Sequence, residues 1–432
     1  MICDNITIGT NGHLNFAGQD TVELAKQYGT PLYLMDEDKI KEKCQIYLDA
    51  FRESFPEGSK PLYASKACSF KQIYRIMKEM GMGIDVVSPG EIYTASSAGF
   101  DLSDAYFHGN NKSDSDIAFA MDCGVVYFVV DNPDELGAVD HLAAERGLTQ
   151  DILLRITPGI DPHTYDEVNT GKVDSKFGNA IETGQAALIT EKALSCPNVR
   201  LAGFHCHVGS QVFGEDVFER TAHVMLWFIK DMKEQFGYMA QQLNLGGGYG
   251  VPYTETDGSI DIAERIRSVG QEIKTTCEQL AIDCPVILME PGRSIVADSG
   301  MTLYSVGSVK QIPEYKNYVS VDGGMSDNPR YALYKSKYTF CIADRMNEPA
   351  DMKVTIAGRC CESGDIIGED AFVPSDTARG DILAVCTTGA YNYSMASNYN
   401  RIGRPAVVML KEGTSFIAVR RESLEDICRN DI

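Results

Sequence analysis

Positive charge is what this chain has least of. Its 39 lysines and arginines face 61 aspartates and glutamates, a net charge of -22 over 432 residues. Nothing there offsets repulsion from a nucleic-acid backbone or an anionic membrane surface, so neither is expected as a partner. An anionic small ligand would have to rely on a few local cations and on backbone amides. Long apolar runs are missing too, and none reaches the roughly 20 residues that a membrane-spanning helix needs. The opening "MICDNITIGTNGHLNF" lacks a basic segment followed by an apolar core, so no signal peptide is expected. Thirteen cysteines contain no C-x-x-C pair and are odd in number, which suits free thiols in a reducing cytoplasm. Metal-ligand spacing is equally scarce. Only "HCH" at 205–207 brings two histidines together, with no carboxylate or thiolate set beside them, so no metal is expected.

What the chain does have is rhythm. Short β-like runs stand at 61–65, 83–88, 105–109, 125–131, 151–156, 202–207, 243–248 and 286–292, with helical segments between them. In "KQIYRIMKEMG", Ile73, Ile76, Met77 and Met80 share one helical face that stops at Gly81. Eight strands alternating with helices predict a TIM-like (β/α)8 barrel, an open doubly wound sheet being the alternative. Before it, Asp36 is placed to cap a helix carrying Ile40, Cys44, Tyr47, Leu48 and Phe51. Beyond Gly292 the runs "MTLYSVGSVKQI", "YVSVDGG", "MKVTIAG" and "DILAVC" have no helices between them, and "PAVVMLKEGTSFIAVRR" reads as a hairpin turning near Glu412-Gly413. A mainly antiparallel all-β domain is expected there. The division is 1–35 with the β domain, 36–292 barrel and 293–432 β domain. The lone Trp227, among Met225, Leu226 and Phe228, is expected in the core.

"LNLGGGYGVPY" at 243–253 packs glycines behind an apolar run, as a phosphate-cradling loop would. It is not a P-loop, since no Gly-Lys-Ser/Thr follows, and not a dinucleotide fingerprint, since Val251 occupies the third glycine's place. Its position helps: the loop follows the seventh predicted strand and Arg293 follows the eighth, where such barrels often bind phosphate. The other strand ends carry Lys66, Ser88, His108, Asp131, Arg155, His207 and Glu290. A lysine ending the first strand points to pyridoxal phosphate held as a Schiff base, with burial favouring loss of the lysine's proton. For Asp131 and Arg155, functional and purely structural readings both stay open.

Ten motifs in order, "YASKAC", "GIDVVSPGEIYTASSAGF", "FHGNNKSD", "TGKVDSKFG", "GFHCHVGSQ", "LNLGGGYGVPY", "EPGRSIVADSG", "VDGGMSDNPRYALY", "CESGD" and "TGAYNYSMASNYN", resemble the diaminopimelate decarboxylases. These belong to the alanine-racemase-fold group of pyridoxal-phosphate enzymes, and the resemblance runs from about residue 30 to 410. It implies that Lys66 holds the cofactor, with Asp85 nearby and His207 stacked on the ring. Ser210 and the amides of Gly246, Gly247 and Gly248 would hold the phosphate, with Arg293 and Tyr391 beside it. Glu290 would bind the pyridine nitrogen and keep it protonated. Arg293, Arg330, Tyr334 and Tyr391 would meet the substrate. Cys361 and Glu362 would enter a second subunit's site in an obligate homodimer, Cys361 as proton donor with a lysine as its rival. By analogy with related ornithine decarboxylases, Lys176 would pair with Asp365 across the interface.

The implied reaction is decarboxylation of meso-2,6-diaminopimelate to L-lysine, the last step of lysine biosynthesis. Diaminopimelate carries a second carboxylate and ammonium at its far end. Arg293 and Arg330 suit the carboxylate and Glu362 the ammonium, whereas ornithine or lysine would leave the arginines unpaired. The alternatives are a decarboxylase of the same fold acting on D-ornithine, D-lysine or a carboxylated polyamine, and a non-catalytic binding homologue. Cys68, Tyr331, Cys360 and Tyr165 depart from the family pattern, and of these Tyr331 and Cys360 flank substrate positions.

Overall fold

The computed structural model describes residues 2–160, 175–214 and 216–432, which group into two units. Residues 43–250 and 259–294 form one; residues 1–42, 251–258 and 295–432 form the other.

The first unit is the barrel. Its strands are Lys60–Ala64, Gly83–Val86, Ala105–Phe107, Tyr127–Val130, Gln150–Thr157, Val199–His205, Gln242–Asn244 and Val286–Met289. Each pairs in parallel with the next. Leu288 and Met289 of the eighth then pair with Lys60 and Pro61 of the first. That closure excludes the open doubly wound sheet. Strands buried on both faces read as near-continuous apolar runs, because helices cover one face and neighbouring strands fill the other. Leu62, Tyr106, Val129, Leu153, Ala202 and Leu288 form one buried cluster drawn from six of the eight strands. The helix Lys71–Met80 buries Ile73, Tyr74, Ile76 and Met77 and ends at Gly81, in the left-handed conformation that glycine adopts without strain.

Trp227 is not in the core. On the helix Val217–Phe236 the buried face is taken by Met225, Leu226, Phe228, Ile229 and Met232, which leaves Trp227 47% exposed. Apolar neighbours in sequence had suggested burial, but the helical period rotates residue 227 away from theirs.

The second unit is mostly antiparallel sheet. Its longest strand, Gly300–Ile312, pairs antiparallel with Lys316–Val321, Ile382–Cys386 and Leu32–Asp36. The hairpin Ala406–Lys411 and Thr414–Val419 turns at Glu412-Gly413. Two pairings here are parallel: residues 318–320 with 355–357, and 32–36 with 406–410. Leu32–Asp36, unforeseen as a strand, is fully buried and ends at Asp36, whose carboxylate accepts Lys39 N–H at 3.0 Å to start the helix Glu37–Ser54. Among the described residues no helix is long and apolar enough to cross a membrane.

Candidate active site

The barrel's strands deliver their chemistry at their C-terminal ends, the face where barrels of this architecture carry their active sites. Lys66 lies in the 3-10 turn Ser65–Ala67 directly after the first strand. Burial was expected to favour its deprotonation, yet the lysine is exposed, since the turn lifts it clear while Ser65 and Ala67 stay buried. Asp85, at the end of the second strand, is 1% exposed, and its Oδ1 has no hydrogen-bond partner. Burial pushes the Asp85 carboxyl up and the Glu290 charge adds to this, against His108, Lys66 and Arg155. His207 follows the sixth strand. Loss of solvent, then the charges of Lys66 and Arg155, push its imidazole well below the ordinary value, leaving it neutral.

The glycine loop is shaped by backbone approaching backbone. A Cβ at Gly246 would meet the Cys206 carbonyl, one at Gly247 the Glu290 carbonyl and one at Gly248 the Gly209 carbonyl. Gly246 and Gly248 also have φ of 69° and 134°, which residues with a side chain rarely adopt. Not all three amides face outward, because Gly246 N–H donates to Asn244 Oδ1 at 2.9 Å. Buried Arg293 donates to the Ser210 hydroxyl at 2.9 Å, and Ser210 follows the carbonyl that abuts Gly248. Loop, serine and arginine are thus brought together on the barrel.

Glu290 directly follows the eighth strand and is 6% exposed. Burial alone would raise its carboxyl, but His108 and His205 outweigh this and hold it well below the usual carboxylate range. His108 Nε2 is 2.8 Å from Oε1 and His205 Nε2 is 3.3 Å from Oε2. Asn244 Nδ2 donates to Oε1 at 2.7 Å. His108 had been placed only on the rim, and His205 and Asn244 were missed. A signal existed for both: the period of two in "HCH" puts residues 205 and 207 on one strand face, and Asn244 is a polar residue inside an apolar run. The donor atoms of His108, His205 and Glu290 all lie within 4.8 Å of one another, close enough to share an ion. Asn244 and His205 hydrogen-bond to that carboxylate, and His108 lies within ion-pair distance of it. Arg155 lies over the Phe177 ring, 4.3 Å from its centroid, and Asp131 accepts Gly178 N–H at 2.9 Å, so both also order the start of the segment after residue 174.

On the β unit, the Arg330 guanidinium sits over three tyrosine rings, 5.3 Å from the centroid of Tyr391, 5.7 Å from Tyr334 and 6.0 Å from Tyr253. Arg330 is 7% exposed and its Nε is buried without a hydrogen-bond partner. Tyr253 was not singled out from sequence. Cys361 and Glu362 are exposed, with Cys361 N–H donating to Asn400 Oδ1 at 2.7 Å. Asp365 is different: it is 3% exposed and accepts the backbone N–H groups of Met325 and Cys360. Its carboxylate ties its own chain together. Lys176 is exposed, while Tyr165 and the first residues of "TGKVDSKFG" lie outside the described residues. Of the other departures, Cys68 is buried and Tyr331 donates its hydroxyl to Glu369.

The family described as pyridoxal-dependent decarboxylase, pyridoxal binding domain, matches residues 37–297. The diaminopimelate decarboxylase of Bacillus subtilis (strain 168) is 43% identical over 422 residues, 98% of this chain and 96% of that one. That of Staphylococcus aureus (strain COL) is 44% identical over 421 residues, 98% of each. The chain belongs to the diaminopimelate decarboxylase family. Among solved structures, the diaminopimelate decarboxylase of M. jannaschii in complex with L-lysine matches with a TM-score of 0.91 and 33% identity, over 100% of this chain and 98% of that one.

The family's cofactor, pyridoxal phosphate, fits what the barrel provides. The glycine loop offers amides where no side chain has room, Arg293 adds a cation beside Ser210, and Asp85 Oδ1 is a buried acceptor still lacking a donor. Lys66 supplies an accessible amine in the same unit.

Proposed function

We propose that this chain decarboxylates meso-2,6-diaminopimelate to L-lysine, with the following residues in the following roles. Lys66 anchors pyridoxal phosphate covalently. Gly247, Gly248, Ser210 and Arg293 grip its phosphate, with Gly246 shaping the loop through Asn244. Neutral His207 packs on the ring, and ionised Glu290 holds a proton on the ring nitrogen. Bound there, the cofactor supplies an electron sink for the charge left behind by CO2. Tyr391 belongs with both cofactor and substrate, and Cys361 donates the proton that replaces the carboxylate.

The observation that carries the substrate assignment is Arg330. A buried guanidinium set against Tyr253, Tyr334 and Tyr391, whose Nη2 donates to the neutral Ser336 hydroxyl at 3.2 Å and whose Nε is unpartnered, has no anion beside it in these contacts and is costly to maintain unless a ligand brings one. A substrate with a second carboxylate does so; a simple diamine acid does not. Arg293 has a partner in Ser210 and is assigned first to phosphate, its part in substrate binding being secondary.

The working form is proposed to be a homodimer in which Cys361 and Glu362 serve the neighbouring subunit, with Glu362 taking the distal ammonium. Their exposure in the single chain supports this. Asp365 is left out of that arrangement, because its carboxylate is buried and engaged. A cytoplasmic location is proposed from thirteen cysteines, all free thiols.

The test is CO2 release by purified protein with pyridoxal phosphate, comparing meso-diaminopimelate with D-lysine, L-lysine and L-ornithine. Release from diaminopimelate alone, with L-lysine as product and none from Lys66→Ala, is expected. Turnover of a substrate lacking the distal carboxylate would sink the role of Arg330, and no turnover of any would favour a binding homologue.

A further inference from the structure

Glu290 is enclosed by Asn244, which also shapes the glycine loop, and by His108 and His205, which have no task in the proposed scheme. A buried carboxylate left to itself takes up a proton, and a neutral acid could not keep a ring nitrogen protonated. Here Oε1 accepts a hydrogen bond from Asn244 Nδ2 at 2.7 Å and lies 2.8 Å from His108 Nε2, a close charge contact in which that nitrogen makes no hydrogen bond, while Oε2 faces His205 Nε2 at 3.3 Å. His108 is 5%, His205 1% and Asn244 0% exposed, so no solvent competes for these contacts. Glu290 is also faced by Arg155, by the like charge of Asp85 and by the Cys206 thiol.

The details fix which way the protons point. His205 Nδ1 is buried with no hydrogen-bond partner, so the ring's single proton belongs on Nε2, toward the carboxylate. Burial pushes this imidazole down to about 4, so it donates as a neutral ring. The rings of His108 and His205 meet edge to face with centroids 4.8 Å apart, each limiting the other's rotation. Asn244 reaches both ways, since its Nδ2 donates to Glu290 and its Oδ1 accepts Gly246 N–H at 2.9 Å. One amide therefore links the acid to the glycine loop.

We propose that His108, His205 and Asn244 are positioning residues that hold Glu290 ionised and in one orientation for the cofactor's ring nitrogen, with Asn244 coupling that orientation to the phosphate loop. The inference rests on the reading that Glu290 faces that nitrogen. Binding, not turnover alone, separates the two. The probes are pyridoxal phosphate and its deaza analogue, with C–H in place of the ring nitrogen, measured by equilibrium dialysis against apoprotein. Wild-type protein is expected to prefer pyridoxal phosphate by about tenfold or more, as a charge-assisted hydrogen bond would provide.

In the His108→Leu, His205→Leu double variant that preference is expected to shrink to about twofold, with affinity for the analogue within about threefold of wild type. His205→Gln, which keeps an N–H donor, is expected to hold most of the preference that His205→Leu loses. With diaminopimelate, kcat falls in the same order while KM stays unchanged. A wild-type protein with no preference would sink the reading of Glu290 itself. A preference unchanged in the leucine variants, or equal losses for both ligands, would overturn the positioning role. If the double variant does not fold, the single His205→Leu and His205→Gln proteins read the same ratio.

Discussion

Tyr304 donates its hydroxyl to the carboxylate of Asp327, and both residues are buried in the β unit. The pair anchors the loop that leads into Arg330, three residues on. Asp327 Oδ1 also accepts Gly324 N–H at 3.0 Å. Burial nonetheless pushes its carboxyl from the ordinary 3.8 up to about 7, with those hydrogen bonds opposing.

A pH dependence of stability follows. Between about 4 and about 7 the folded chain keeps a proton on Asp327 that the unfolded chain has released. The Asp327 contribution therefore falls as pH rises through that window, and the loss is complete above it. Asp327→Asn, which cannot ionise, is expected to flatten the decline in melting temperature of the apoprotein between pH 4.5 and 7.5, read as the difference between the two melting curves. Parallel curves would refute it.

If Arg330 takes the distal carboxylate as proposed, Arg330→Met is expected to lower kcat/KM for diaminopimelate by roughly 100- to 1,000-fold, since a forked contact to that carboxylate would be lost. Arg330→Lys should recover little, because an ammonium cannot reproduce the planar fork or its place over the tyrosine rings. Affinity for pyridoxal phosphate serves as the control and is expected to stay unchanged.

At Gly247 a single methyl group has nowhere to go, because it would meet the Glu290 carbonyl. Gly247→Ala should therefore weaken pyridoxal phosphate binding by at least about tenfold, by displacing backbone against backbone. Equilibrium dialysis checks this. Ser210→Ala removes one hydroxyl without moving the loop, so a smaller loss is expected.

Cys361 is exposed, so Cys361→Ala should leave the melting temperature unchanged while slowing turnover. Mixing it with Lys66→Ala tests whether sites are shared between subunits. Each variant alone should fall well below a quarter of wild-type activity, but random reassortment into dimers should restore about a quarter of it, because half the dimers then carry one intact site. No recovery on mixing would mean that both residues act within one chain.

The sequence by itself determined the barrel and the order of its chemistry. Alternating apolar runs and helical faces are local signals, and each barrel strand lay where such a run stood. Lys66, Glu290 and Arg293 were legible because a strand's end can be read from where its apolar run stops. Tertiary structure alone decided what those residues meet. Lys66 proved exposed because of a one-turn lift after its strand, and Trp227 half exposed because of its angle on a helix. Tyr253, distant in sequence from Tyr334 and Tyr391, joined them over Arg330. His108 follows the third strand while His205 and Asn244 end the sixth and seventh, and only the folding of the sheet brings their polar ends around one carboxylate. Such contacts follow from distances across the fold, which no local pattern of residues records.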